Sequence, residues 1–157
     1  RLEDGMVTFI AKCGTPASCP TLPFPGAQFE PYSSAMGKVL LAAMPPDEME
    51  RFVRAGELVA MTPHTITDPA AMLAELARVR LAGHARDDRE FHLSISCIAV
   101  PVLDGDGRTV AAMSMTERHK DMTPARQAQL REAMAQAAAA ISAKVYPAGR
   151  LRTAAGS

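Results

Sequence analysis

Apolar residues recur along this chain at two spacings, and the spacings divide it into helices and strands. Met36, Val39, Leu40 and Ala43 follow the i, i+3, i+4, i+7 pattern of one helical face. Ser33 or Ser34 supplies an N-cap for that helix, and Pro45-Pro46 ends it. A second short helix is predicted over 47–54, closed by Gly56. Met72, Leu73, Leu76 and Val79 mark the buried stripe of a third, with Asp68 as cap, Pro69 at its first position and Gly83 past its end. Leu130, Met134, Ala137 or Ala138, Ile141 and Val145 give a long stripe to a last helix, capped by Thr123, opened by Pro124 and stopped by Pro147. Strands are predicted over 7–11, 85–88, 96–103 and 109–116, the last two joined by Asp104-Gly105-Asp106-Gly107. Pro101 within the third of these strands suggests an edge or a bulge.

Between the first strand and the first helix, prolines fall at 16, 20, 23, 25 and 31. Such a segment is neither helix nor interior strand. Its Leu22, Phe24 and Phe29 are large apolar groups in a loop, which suits a cap over a cavity. Residues 148–157 read as a frayed tail. Strand, helices, hairpin and helix in that order, with a tight turn between two strands, make an α+β fold: a mainly antiparallel sheet with helices against it.

The hairpin allows a finer expectation. With Asp104 to Gly107 as the turn, paired numbers sum to 211, so Cys97 faces Ser114, Ala99 faces Ala112 and Ile95 faces Thr116. Side chains two apart share a face. One face then presents Cys97, Ala99, Ala112, Ser114 and Thr116, and the other Ile98, Val100, Met113 and Met115. The second is ordinary core. The first is small and mildly polar, which suits either a pocket floor or hydroxyls that satisfy nearby backbone. The start of the Ser34-Ala35-Met36-Gly37-Lys38 helix adds unpaired amides that favour an anion.

Composition narrows the function. At 157 residues the chain is one domain with one core. Seventeen basic and seventeen acidic residues leave no net charge, which disfavours a strong nucleic-acid or polybasic membrane binder. No apolar run has the length of a membrane span, and the polar Arg1-Leu2-Glu3-Asp4 start has no signal-peptide character. The non-methionine start suggests a fragment or processed product. Three cysteines cannot pair completely, which fits a reducing, cytoplasmic setting with Cys13 and Cys19 as thiols. Ten methionines suit an adaptable interior, and the lack of Trp disfavours a stacking platform for single strands.

Catalytic arrangements are weak. Cys97 has no evident cationic neighbour beyond His92, and Ser114, His84 and Asp87 form a triad only on paper, with no Gly-x-Ser-x-Gly elbow. Histidines at 64, 84, 92 and 119 lack zinc-motif spacing, and no cofactor motif is present. His119, between Arg118 and Lys120, reads as part of a solvated basic loop.

Four blocks, taken in order, resemble the C-terminal effector-binding domain of the IclR family of bacterial transcription regulators. They are Ser33-Ser34-Ala35-Met36-Gly37-Lys38-Val39-Leu40-Leu41-Ala42, Thr62-Pro63-His64-Thr65-Ile66-Thr67-Asp68, the helix end from Leu76 through Gly83-His84-Ala85, and 96–102 with 111–115. The resemblance spans roughly residues 1 to 141. It implies a GAF-like fold, a curved antiparallel sheet with helices packed on its faces. It implies a non-enzymatic, cytoplasmic ligand sensor over residues 1–146, with 147–157 as a flexible tail. A small organic acid would be the effector. DNA would be bound only through an N-terminal winged helix-turn-helix domain absent from these residues, and the protein would be a homodimer or homotetramer. The alternative is a GAF-like, cysteine-dependent reductase using Cys97. By resemblance, Ala35 and Met36 match the family's backbone position at the helix start, Asp87 an acidic pocket residue, and Cys97, Ser114 and Thr116 the hairpin's ligand positions. Phe29 and Ile95 match apolar wall positions. Where glycine is common before the first hairpin strand, this chain has Leu93-Ser94.

Overall fold

A computed structural model describes residues 1–14 and 24–146. Two three-stranded antiparallel sheets and four helices make the α+β fold. In the first sheet β1 (Leu2–Glu3), β2 (Met6–Thr8) and β3 (Gln28–Phe29) lie in that order. In the second, β5 (Ile95–Leu103) lies between β4 (Ala85–Asp88) and β6 (Thr109–Arg118). The predicted 7–11 strand is shorter and earlier than expected. The Pro-rich stretch contributes β3 at a sheet edge, where missing backbone donors do least harm. Leu22, Cys19 and the 147–157 tail lie outside the described residues.

The helices follow their caps. In α1 (Ala35–Ala42) the Ser34 side chain accepts from Gly37 N, and in α3 (Pro69–Ala82) Asp68 accepts from Ala71 N. Gly83 ends α3 at φ 67°, a left-handed position that glycine adopts without penalty. α2 spans Pro46–Ala55. In α4 (Pro124–Val145) Thr123 caps and Pro124 opens as predicted, and Leu130, Met134 and Ala138 are buried. Ile141 and Val145 are not, because α4 runs past the sheet that covers its first turns. Replacing Asp68 with Ala should cost about 1 kcal/mol, read as a lower urea midpoint with an unchanged slope.

The second sheet separates two cores. On one side α1 and α3 pack Val39, Leu41, Met72, Leu76 and Val79 with Ala85 and Ala99. On the other, α4 packs Leu130, Met134 and Ala138 on Ile98, Val100 and Val102. Met113 lies against this second core, whereas Met115 is 40% exposed rather than the core residue its alternation predicts.

The hairpin register differs from the sum of 211. Cys97 pairs Thr116, Ala99 pairs Ser114, Val100 pairs Met113 and Ile95 pairs Arg118, a sum of 213. The turn takes one residue more than assumed, since Leu103 pairs Thr109, and a bulge between Val102 and Leu103 takes another. Two single-residue offsets restore parity, so the two predicted faces keep their members. Pro101 sits in the central strand, opposite Ala112, and the irregularity falls just after it.

Candidate functional site

An open cleft lies where the N-terminus of α1 meets the small-residue face of the second sheet. Ala35, Met36, Asp87, Cys97, Ser114, Thr116, Phe29 and Ile95 all line it, together with Phe9, Ser34 and Phe91. The floor is built in rungs across three strands. Asp87 pairs Cys97 and Cys97 pairs Thr116; in the next rung Ala85 pairs Ala99 and Ala99 pairs Ser114. Cys97 Sγ lies 3.1 Å from Thr116 Oγ1.

At one end the backbone is held tightly. A Cβ on Gly37 would lie 1.9 Å from the Pro31 carbonyl oxygen, so only glycine lets the lead-in cross α1 this closely. Ser34 Oγ accepts from Gly37 N at 3.0 Å, and Lys38 N donates to Ser34 O at 2.9 Å. The amides of Ala35 and Met36 lie in the first turn of α1, where a helix offers no intrahelical acceptor and favours an anion.

The wall is aromatic. The Phe9 and Phe29 ring centroids are 5.3 Å apart, and Phe29 meets Phe91 edge-on at 6.1 Å. Phe9 and Phe91 were not singled out in the sequence, where nothing marks two isolated phenylalanines as neighbours of a third. Phe24, by contrast, is 70% exposed.

Asp87 is fully buried. Its Oδ1 accepts from Glu90 N at 2.7 Å and Phe91 N at 3.4 Å. Oδ2 receives no nitrogen or oxygen donor among the described residues, and the Cys97 thiol is the polar group set against the carboxyl. Burial pushes Asp87 above the usual carboxylate range, against the pull of those amides and of Lys38. Next to it Lys38, 1% exposed, places Nζ 2.7 Å from Glu90 Oε1 and 3.2 Å from Glu75 Oε1. Arg78 grips Glu75 from outside at 2.7 and 2.8 Å. Burial also pushes Glu90 up, with Lys38 opposing. The threonine-rich lead into α3 anchors this corner: Thr62 donates to Arg89 O at 2.6 Å and Thr65 to Glu90 O at 2.7 Å.

The remaining candidates lie elsewhere. His84 bonds the Ala82 carbonyl and lines a separate groove between α4 and the sheet, so it forms no triad with Ser114 and Asp87. His119 is not a purely solvated loop residue: Nδ1 lies 2.9 Å from the buried Ser96 Oγ and 3.2 Å from Asp88 Oδ1, on the face opposite the cleft. Among the described residues no group of three or more His, Cys, Asp or Glu side chains could hold a metal ion. No helix among them is long and apolar enough to cross a membrane.

Comparison with known proteins gives one consistent result. The family described as "Bacterial transcriptional regulator IclR C-terminal" matches residues 1–143. The HTH-type transcriptional regulator BhcR of Paracoccus denitrificans is 31% identical over 146 residues, 93% of this chain and 52% of that protein. The solved structure of the Thermotoga maritima IclR is similar with a TM-score of 0.84 at 32% identity, over 92% of this chain and 59% of that one. A double mutant of the PobR inducer-binding domain from Acinetobacter, in complex with 3-hydroxybenzoic acid, gives 0.81 at 25% identity, over 90% of this chain and 83% of that one. The chain spans about half the length of the first curated relatives. Those relatives are transcriptional regulators, not enzymes, which removes the ground for a reductase using Cys97.

Proposed function

Because this chain belongs to the IclR family of bacterial transcriptional regulators, we propose that its cleft binds a small organic acid that controls DNA binding by the whole protein. The ligand's carboxylate sits at the amides of Ala35 and Met36. Its body lies between Phe9, Phe29, Phe91 and Ile95. Its second polar group rests over the Asp87–Cys97–Thr116 rung, with Ser114 alongside. The observation that carries this reading is the convergence of a helix start and a hydroxyl-bearing floor on one cleft. Three phenyl rings favour an acid with an aromatic or other apolar body, and the Acinetobacter domain was crystallised with such an acid.

The helix start and the hairpin come from distant parts of the chain, so a ligand that bridges them favours one relative position over others. That differential contact is what shifts a regulator's population. DNA is contacted through an N-terminal domain outside these residues, consistent with their balanced charge. The protein works in the cytoplasm as a homodimer or homotetramer.

Native mass spectrometry of the purified domain, then calorimetry against a panel of small carboxylic acids that includes 3-hydroxybenzoate, tests the reading. A hydrogen bond to a charged ligand is worth about 1.5–3 kcal/mol. Ser114→Ala and Thr116→Val should each weaken binding by roughly tenfold or more while leaving the fold intact. Unchanged affinity in two well-folded variants would move the site off the hairpin.

A further inference from the structure

The buried charges beside the cleft pair off unevenly. Glu75 is answered by Arg78, and Glu90 by Lys38. Asp87 is left over. It is fully buried, its Oδ2 has no nitrogen or oxygen donor among the described residues, and the nearby Lys38 already serves two other carboxylates. The groups facing Asp87 are Lys38 from α1, Glu90 and the Phe91 amide from the turn after β4, and the Cys97 thiol from β5. Lys38 is the single cation among them, and an anionic Asp87 would leave this corner with excess negative charge.

Resting on the effector reading above, we infer that the cleft takes up its acid together with a proton, held on Asp87 as a neutral carboxyl that donates to an acceptor oxygen of the ligand. The reaction is a protonation equilibrium: Asp87 carboxylate, a solvent proton and the ligand anion give a complex with one more bound proton. The ligand's own negative charge enters the same low-dielectric corner and favours that protonated form. The chemical class follows. The effector carries an anionic carboxylate for the α1 amides and a second oxygen able to accept, such as a carbonyl, hydroxyl or second carboxyl. An amino acid's ammonium would instead donate to the ionised Asp87 carboxylate, and its binding would take up no proton. Asp87 thus determines specificity, and Glu90 is a positioning residue that keeps Lys38 turned away from it.

Linkage gives the sign. The complex binds more protons than the free domain, so affinity rises as pH falls from the ligand-bound midpoint of Asp87 to its midpoint in the free domain, by up to about tenfold per pH unit, and levels off below. Carbon-13 NMR of carboxyl-labelled aspartate in the whole chain reads the group directly, with its resonance assigned by loss in Asp87→Asn. Without ligand, Asp87 should titrate above the ordinary aspartate range. Glu90→Gln, which removes a neighbouring negative charge and one of the two carboxylates that hold Lys38, should bring its midpoint down, and saturating 3-hydroxybenzoate should raise it. An Asp87 that titrates in the ordinary aspartate range, or a midpoint indifferent to Glu90→Gln, overturns the inference with no ligand involved. So does 3-hydroxybenzoate that perturbs Phe91 and Ser114 without moving Asp87. If it binds nowhere in the cleft, the aromatic-acid reading above fails, and the ligand-free titration still decides the state of Asp87.

Discussion

Gly37→Ala should destabilise the domain by about 3 kcal/mol or more, at the top of the range for overpacking. The reason is where the new methyl would go. Its nearest atoms are Pro31 O, Cα and C, at 1.9, 2.3 and 2.4 Å, all backbone. No rotamer change relieves such a clash, so either α1 or its lead-in must move. Both carry the cleft: the lead-in continues into the cap residue Ser34, and α1 begins with Ala35 and Met36. Urea denaturation should show a much lower midpoint, and a ligand that binds the wild type should bind the folded fraction of the variant weakly. A Gly37→Ala protein with wild-type midpoint would mean that Pro31 shifts freely, and that the helix start is not a fixed anion site.

The second large effect is at Lys38. Its ammonium is as buried as any core side chain, and Glu90 beside it is 6% exposed. Breaking a buried pair by removing one partner costs about 3–5 kcal/mol, because the other charge stays behind unanswered. Lys38→Met should therefore be among the most damaging single changes in the domain. Adding Glu90→Leu should restore part of the loss, since it removes the most buried carboxylate of the pair, while Glu75 keeps Arg78 and Asp87 stays without its cation. The pH dependence has a definite sign. Burial holds the folded Glu90 and Asp87 carboxyls above their ordinary range, so they favour folding most when protonated and oppose it as pH rises through their folded midpoints. Removing Lys38 raises both further. The deficit of Lys38→Met should shrink as pH is lowered toward the ordinary carboxylate range, as read by urea midpoints across a pH series.

The parts of this fold legible from sequence are those fixed by local chemistry. Asp68, Pro69 and Gly83 bound α3, and Thr123 and Pro124 open α4, because caps and prolines act over three or four residues. The eight residues assigned to the cleft line one cavity. Cys97, Ser114 and Thr116 follow from side-chain parity, which survives a register error of two; Ala35 and Met36 follow from the helix start and Phe29 from an apolar loop, and the assignment of Asp87 and Ile95 rests on family resemblance. What was not legible depends on distance along the chain. Nothing local to the sequence marks Lys38 as interior, and only contacts 37 and 52 residues away reveal it as a buried charge. Phe9 and Phe91 become wall residues only when β2, β3 and the turn after β4 are brought together. Ile141 and Val145 continue a helical stripe beyond the sheet that would bury it, and periodicity alone does not say where a partner ends.

The alternation along β5 has an evolutionary consequence. Cys97 and Ala99 face the cleft and α1, whereas Ile98, Val100 and Val102 face α4. Under the proposed function, adjacent residues in one strand therefore answer to different selective demands, one set to ligand chemistry and the other to the seating of a helix. A lineage can exchange residues on the first set to acquire a new effector without repacking the second. Relatives at about a quarter to a third identity that keep the same architecture are what such a divided strand permits.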